Sequence, residues 1–208
     1  MFLHFFWDYD GTLFDSYPHM TWAFRLALKD FGFERTSEEV IASMKHSLGQ
    51  CARRYADETG IPYEELMKKF RDYDRQNYEG EVRPYPYAAE VCRSIAEKGG
   101  KNYLYTHSGR YTWGMIKKYG FGDAFCDGVT SEQNFPLKPA PDALLYLIEK
   151  HKLQKEQCIM VGDRDIDLTA GFNAGISGCL FDPDGYFQDF EVPYRVTSLK
   201  ELEEVLVK

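Results

Sequence analysis

Four stretches of this sequence carry residue types that can do chemistry together. Asp8 and Asp10 stand two residues apart in Asp8-Tyr9-Asp10-Gly11-Thr12-Leu13. Thr106 follows the apolar run Tyr103-Leu104-Tyr105, and Lys138 lies in Pro136-Leu137-Lys138-Pro139-Ala140-Pro141. Asp163 and Asp167 belong to Gly162-Asp163-Arg164-Asp165-Ile166-Asp167. A carboxylate can bind a metal, attack an electrophile or move a proton, and an Asp-x-Asp pair allows two of these tasks together. Taken alone, Asp8 to Gly11 also reads as an acidic turn, because Asp and Gly are ordinary turn residues. The Thr106 hydroxyl can donate to an anionic oxygen; the plainer alternative is a β-branched residue finishing a strand. Prolines around Lys138 limit the freedom of its loop and can hold the ammonium at one point, although an isolated lysine is usually a solvated surface charge. Asp163 and Asp167 are four apart, so a helix beginning near Asp163 would place both on one side of its first turn, where acids also suit the helix dipole. Four carboxylates in one pocket would raise one another's pKa values unless a cation balanced them. Oxygen-only ligands beside a substrate phosphate are the preference of Mg²⁺.

These residues need elements that bring them to one place. Phe2 to Trp7 is a nearly unbroken apolar run, as in a strand buried on both faces, and it ends at the two acids. Apolar residues at helical spacing then recur from Met20 to Phe31, from Val40 to Met44, from Cys51 to Ala56 and from Leu66 to Tyr78. Four helical patterns over roughly residues 16–80 describe a small all-α insert. After Pro84-Tyr85-Pro86, helices and strands alternate. The strands are expected at Asn102–Tyr105, Phe125–Val129, Cys158–Val161 and Ile176–Phe181, with a last helix capped by Ser198. That alternation implies βαβ units and a mostly parallel sheet. In such a sheet, side chains at the carboxyl ends of strands face the crevice where ligands bind, and Asp8, Thr106 and Asp163 all fall there.

With 208 residues, 44% hydrophobic and 28% charged, the chain has room for one medium domain or a core domain with an insert. A net charge of -8 argues against nonspecific binding to nucleic acid or to an anionic membrane surface, so an anionic substrate must meet local positive charge or a metal. Five scattered cysteines without a C-x-x-C pair suggest neither a disulfide framework nor a zinc site. The apolar start has no basic segment before it and is interrupted by Asp8 and Asp10, so a soluble, cytoplasmic protein is expected.

The four stretches, in this order, resemble the four motifs of the haloacid dehalogenase (HAD) superfamily, and the resemblance runs the length of the chain. It implies a Rossmann-like α/β core with a mostly parallel sheet over residues 1–15 and 83–208, and a helical cap over 16–82 similar to that of the phosphoglycolate-phosphatase and β-phosphoglucomutase-like branch. It further implies that Asp8 is a nucleophile forming an aspartyl-phosphate and that Asp10 is the general acid and base. Thr106 and Lys138 would hold the phosphoryl oxygens. Mg²⁺ would be held by Asp8, the Asp10 backbone carbonyl, Asp163 and, more loosely or through water, Asp167. The name-giving dehalogenases lack an acid at the Asp10 position, so this chain looks like a phosphatase or phosphotransferase acting on a small phosphorylated metabolite, as a monomer or homodimer. His107 departs from the small polar residue usual after the threonine; it either fills space, or narrows the phosphate site or adds a donor to it. Lys45 and His46, in the segment Lys45–Gln50, are similar in position to the family's substrate-specificity loop and can reach a leaving group or simply end a helix. That segment lacks the Gly-hydrophobic-Ser-Arg run associated with β-phosphoglucomutase, which ranks hydrolysis above mutase activity. A noncatalytic protein on the same scaffold is the remaining alternative, and the intact Asp10, Lys138 and Asp163 argue against it.

Overall fold

The computed structural model describes residues 1–76 and 78–207; Asn77 and Lys208, which fall inside the expected domain ranges, lie outside the described residues. In chain order, β1 (His4–Trp7) and β2 (Phe14–Asp15) precede helices α1 (Tyr17–Asp30), α2 (Ser37–Met44), α3 (Leu48–Thr59), α4 (Tyr63–Asp74) and α5 (Tyr78–Glu81). There follow β3 (Arg83–Pro84), α6 (Ala88–Glu97), β4 (Lys101–Tyr105), α7 (Tyr111–Lys118), β5 (Phe125–Val129) and α8 (Asp142–Lys150). The chain continues through β6 (Cys158–Gly162), α9 (Asp165–Ala174), β7 (Ser177–Phe181), β8 (Tyr194–Val196) and α10 (Leu199–Leu206).

Six strands form a parallel sheet in the order β5-β4-β1-β6-β7-β8. From β1 the chain builds outward through β4 and β5 on one side, then returns to the other side for β6, β7 and β8. That reversal makes β1 the switch point, and in open α/β sheets the crevice lies at the carboxyl ends there. Phe5, Phe6 and Trp7 are buried, as a central parallel strand requires. Trp7 Nε1 also donates to Asn102 Oδ1 at 2.8 Å, so its one polar atom is satisfied inside the core. Beside the sheet, Phe6, Tyr103 and Met160 pack with Leu144 and Leu147 of α8 and Ala170 of α9. Burying each leucine side chain stabilises by about 1.5–3 kcal/mol.

The backbone divides into two compact units, Met1–Phe14 with Pro84–Lys208, and Asp15–Arg83. The second has its own core, in which Phe24 and Leu28 of α1 meet Val40, Cys51, Tyr55, Leu66 and Phe70. Thr36 caps α2 in a reciprocal capping box with Glu39, which matches the Thr36-Ser37-Glu38-Glu39 spacing. Among the described residues, no helix is long and apolar enough to cross a membrane.

Several boundaries differ from expectation. β1 starts at His4 rather than Phe2, although Leu3 already donates to Gln157 O and accepts from Lys101 N at its margin. Tyr78 heads its own short helix instead of extending α4, because apolar period alone does not distinguish one helix from two in succession. Leu48 opens α3, so Gly49 and Gln50 are helical and the linking segment shrinks to Lys45–Ser47. The strand β8 and the two-stranded β2–β3 sheet were not anticipated; both are too short to carry a period.

Candidate active site

Strand register sets the site. Trp7 pairs with Leu104 of β4 on one side and Val161 of β6 on the other, so the next residues, Asp8, Tyr105 and Gly162, emerge at the same level. The Asp8 N–H donates to Val161 O at 2.9 Å, and the Thr106 N–H donates to Val129 O at 3.0 Å. Each ladder thus ends on a residue singled out by type. After Asp8 the chain turns sharply: Leu13 and Phe14 N–H groups both donate to Tyr9 O, and Gly11 takes φ +79°, a left-handed conformation that favours glycine. At the end of β6, a Cβ on Gly162 would collide with the Asp167 side chain, so glycine is what lets Asp167 lie against the strand.

Asp8, Asp163 and Asp167 are all buried, and one oxygen from each lies within 4.8 Å of the others. The expectation that Asp163 shares the first helical turn with Asp167 is corrected: α9 begins at Asp165 and Asp163 precedes its N-cap residue, Arg164. Asp163 is instead a strand-end residue, with the Thr12 hydroxyl donating to its Oδ1 at 3.4 Å. Asp167 folds back along the helix start, where its Oδ2 accepts from the Arg164 N–H at 3.1 Å. Asp8 and Asp163 are therefore brought together by adjacent parallel strands, and Asp167 joins them from the helix.

Lys138 is no surface charge. Its side chain is wholly buried, and Nζ donates to Asp8 Oδ1 at 2.5 Å and Tyr105 O at 2.9 Å and pairs with Asp167 Oδ1 at 2.8 Å. The ammonium also sits 4.4 Å from the centre of the Tyr105 ring. The loop that delivers it is bound at several points. The Lys138 N–H donates to His107 Nε2 at 2.8 Å, the Tyr105 hydroxyl to Ala140 O at 3.2 Å and Asn173 Nδ2 to Pro139 O at 2.9 Å. The Lys138–Pro139 peptide is cis. His107 therefore accepts with Nε2, which requires an unprotonated nitrogen there. Burial, with the Lys138 charge second, pushes its pKa down to about 3.

Asp10 is held from the Thr106 loop. The Thr106 hydroxyl accepts from the Ser108 N–H at 2.9 Å, and the Ser108 hydroxyl donates to Asp10 Oδ2 at 2.5 Å. The carboxylate of Asp10 is thereby kept in one orientation, two residues from Asp8.

The electrostatics follow from burial and from which charges are near. Burial, then repulsion from Asp167, pushes Asp8 up to about 7 against the pull of Lys138 and Arg164. Burial alone would raise Asp167 and lower Lys138. Lys138 and Arg164 outweigh it for Asp167, which lies below its usual range, and Asp167 and Asp8 outweigh it for Lys138, which lies above its own. With all three acids ionised, Lys138 and Arg164 leave one net negative charge in a buried space. Asp8 Oδ2 is buried and accepts no hydrogen bond. A buried carboxylate oxygen of this kind is costly unless a cation meets it, and an all-oxygen set around it suits a hard divalent ion.

Lys45 and His46 belong to the helical unit. Lys45 is buried, its ammonium 4.1 Å from the centre of the Tyr17 ring, and His46 is exposed. Three residues of the catalytic-type cluster escaped sequence reasoning. Ser108 and Arg164 each stand beside a motif residue, which was the available signal; Tyr105 works through its carbonyl and ring, for which residue type offers none.

Known proteins can be set beside this geometry. A family model described as haloacid dehalogenase-like hydrolase matches residues 5–181. A phosphoglycolate phosphatase from Vibrio vulnificus (strain YJ016) is 30% identical over 182 residues, covering 81% of this chain and 78% of that protein. The pyrophosphatase PpaX of Halalkalibacterium halodurans is 26% identical over 148 residues, covering 69% of each. Among solved structures, one described as a predicted phosphoglycolate phosphatase from Haemophilus somnus 129PT superposes with a TM-score of 0.85 over 98% of this chain and 97% of that one; at 19% identity it speaks for the fold alone.

Proposed function

This chain belongs to the haloacid dehalogenase-like hydrolases, and from that premise we propose that it is a Mg²⁺-dependent phosphatase that hydrolyses a small phosphomonoester through an aspartyl-phosphate. The observation that carries this reading is the state of Asp8: Lys138 holds one carboxylate oxygen, and the other is buried without a hydrogen bond. A carboxylate that both attacks phosphorus and helps hold a metal needs an oxygen not taken up by hydrogen bonds.

Asp8 attacks the phosphorus in line; the Asp8 O–P bond forms as the ester P–O bond breaks. Asp10, oriented by Ser108, gives its proton to the leaving oxygen. It then takes a proton from the water that attacks phosphorus and frees Asp8. Thr106 and Lys138 hold the phosphoryl oxygens, and Lys138 neutralises charge on them without needing to move, since three contacts fix it. Asp8, the Asp10 carbonyl and Asp163 are the residues assigned to hold the metal, with Asp167 as outer support that also orients Lys138. A bound Mg²⁺ supplies the positive charge that keeps Asp8 ionised and offsets repulsion between carboxylate and phosphate.

The helical unit is assigned the part of the cap, with Lys45 and His46 as its candidates for substrate contact, and His107 is assigned to positioning Lys138. A cytoplasmic setting is part of the proposal, supported by five cysteines without disulfides. The relatives named as phosphoglycolate phosphatase and pyrophosphatase define the first substrates to try. Phosphate release should be measured from 2-phosphoglycolate, pyrophosphate, sugar phosphates and an aryl phosphate, each with Mg²⁺ and with a chelator. Turnover of at least one monoester, abolished by chelation, is expected. No release from any of them would sink the proposal, and isomerisation of a hexose 1-phosphate without net release would replace it with a mutase.

A further inference from the structure

Arg164 stands between two of the three buried acids in sequence and leans over all three in space. Its main chain is extended, at φ −131° and ψ 156°, and is tied down by the bond from its N–H to Asp167 Oδ2. Its side chain curls back. Nε lies 3.4 Å from Asp167 Oδ2 and 3.8 Å from Asp163 Oδ1; Nη2 lies 3.5 Å from Asp167 Oδ1 and 3.9 Å from Asp8 Oδ2. Charge-assisted bonds from a guanidinium normally close to about 2.7–2.9 Å and often pair as a fork. None of these does.

Lys138 makes the contrast plain. Its contacts with the same acids are 2.5 and 2.8 Å and its side chain has no exposure, whereas the Arg164 side chain keeps 14%. One cation is built into the cluster. The other lies over it at longer range and partly open to solvent, with its main chain tied to Asp167. It also lies against Asp8 Oδ2, the buried oxygen that accepts no hydrogen bond.

We propose that Arg164 is an internal stand-in for the divalent cation: it balances Asp8, Asp163 and Asp167 in the metal-free protein, withdraws when metal binds, and so sets the protein's metal affinity. This rests on the metal-assisted site described above. The reason is competition for the same oxygens. Two positive charges a few ångströms apart in a poorly solvated space repel strongly, so metal must displace the guanidinium before it can use them. Removing the arginine charge should therefore tighten metal binding and leave the metal-free protein less stable, because three buried acids would face Lys138 alone.

The test is titration calorimetry of the metal-stripped full chain with Mg²⁺ and with Mn²⁺, comparing wild type, Arg164→Gln, Arg164→Met and Arg164→Lys. Both uncharged variants should bind metal at least tenfold more tightly than wild type, and Arg164→Lys should stay nearer to wild type. Thermal unfolding in a chelator should show a lower Tm for the uncharged variants and a larger rise on adding metal. Equal or weaker metal binding by both uncharged variants would overturn the inference, because Arg164 would then only brace Asp167. Aryl-phosphate turnover by wild type, assayed in parallel, separates the two ideas. Metal-dependent turnover alongside unchanged metal affinities sinks the Arg164 role and spares the phosphatase, while absence of metal binding in every protein sinks both.

Discussion

At the carboxyl ends of β1, β4 and β6 the buried polar groups are charged and joined in a network, whereas in the amino halves of the same strands they are neutral or alone. The first region holds Asp8, Asp163, Asp167 and Lys138, each with a charged partner within 4 Å. In the second, His4 Nδ1 and the Tyr103 hydroxyl are buried without a hydrogen bond. The His4 and Tyr103 rings lie 6.3 Å apart, and the Tyr103 and His151 rings 5.1 Å apart. Burial, and next the Lys101 charge, lowers the His4 pKa and favours its neutral form. The ion pairs nearby, Asp127 with His151 at 2.7 Å and with Lys150 at 2.8 Å, are partly solvated and are worth little. Burial of polar atoms is thus common to both regions. What separates them is convergence: the carboxyl-end loops bring side chains from distant parts of the chain onto one charge cluster, while the amino half is filled mainly by aromatic packing.

Substitutions should separate the two regions by size of effect. The largest is expected from Asp8→Asn, which should cut phosphate release from an aryl phosphate by more than about 10³-fold while circular dichroism stays native, as loss of a nucleophile does; retained turnover would place the chemistry elsewhere. Next is Lys138→Met. It leaves two buried carboxylates with only the more distant Arg164, at a cost of about 3–5 kcal/mol in chemical denaturation, and turnover should fall with it. A smaller effect depends on pH. The His107 ring titrates near 3 when folded and near its ordinary 6.5 when unfolded. Between those values the unfolded state carries more protons, so this contribution is complete above about 6.5 and is lost as pH falls, by up to about 1.4 kcal/mol per pH unit. Denaturation of wild type and His107→Gln across that window should show a steeper gain of stability with rising pH in wild type than in the variant, which keeps the slopes of the shifted carboxylates; equal slopes would mean the ring is not held neutral. Smallest is Tyr103→Phe in the amino half, which removes a hydroxyl that has no partner. Stability should change by less than about 1 kcal/mol or rise slightly, with turnover intact. A large loss there would mean that the amino half depends on its polar atoms as the carboxyl ends do.

Much of the site was legible because charge and backbone constraint are written in residue type. Asp8, Asp163 and Asp167 sit in motifs whose glycines and apolar runs mark strand ends, and the structure gathers all three. Lys138 was legible as a candidate but not as a buried residue, since burial depends on Tyr105 and His107, more than 30 positions away, closing around it. The link from Thr106 through Ser108 to Asp10 was hidden for a similar reason: it joins residues 98 apart. Arg164 had no role assigned from the sequence, where it only stands next to Asp163. Only the fold of α9 against β6 turned its side chain toward the acids.

The sequence by itself determined which residues carry charge, where strands must stop, and that a helical stretch interrupts an alternating α/β pattern, because periodicity and turn chemistry are local properties. The tertiary structure alone decided that Lys138 is desolvated, that Asp8 keeps one oxygen without a hydrogen bond, and that Arg164 lies near both acids that Lys138 pairs with and near Asp163 as well. Those are matters of distance and solvent exclusion between segments remote in the chain, and they exist only once the parallel strands are in register.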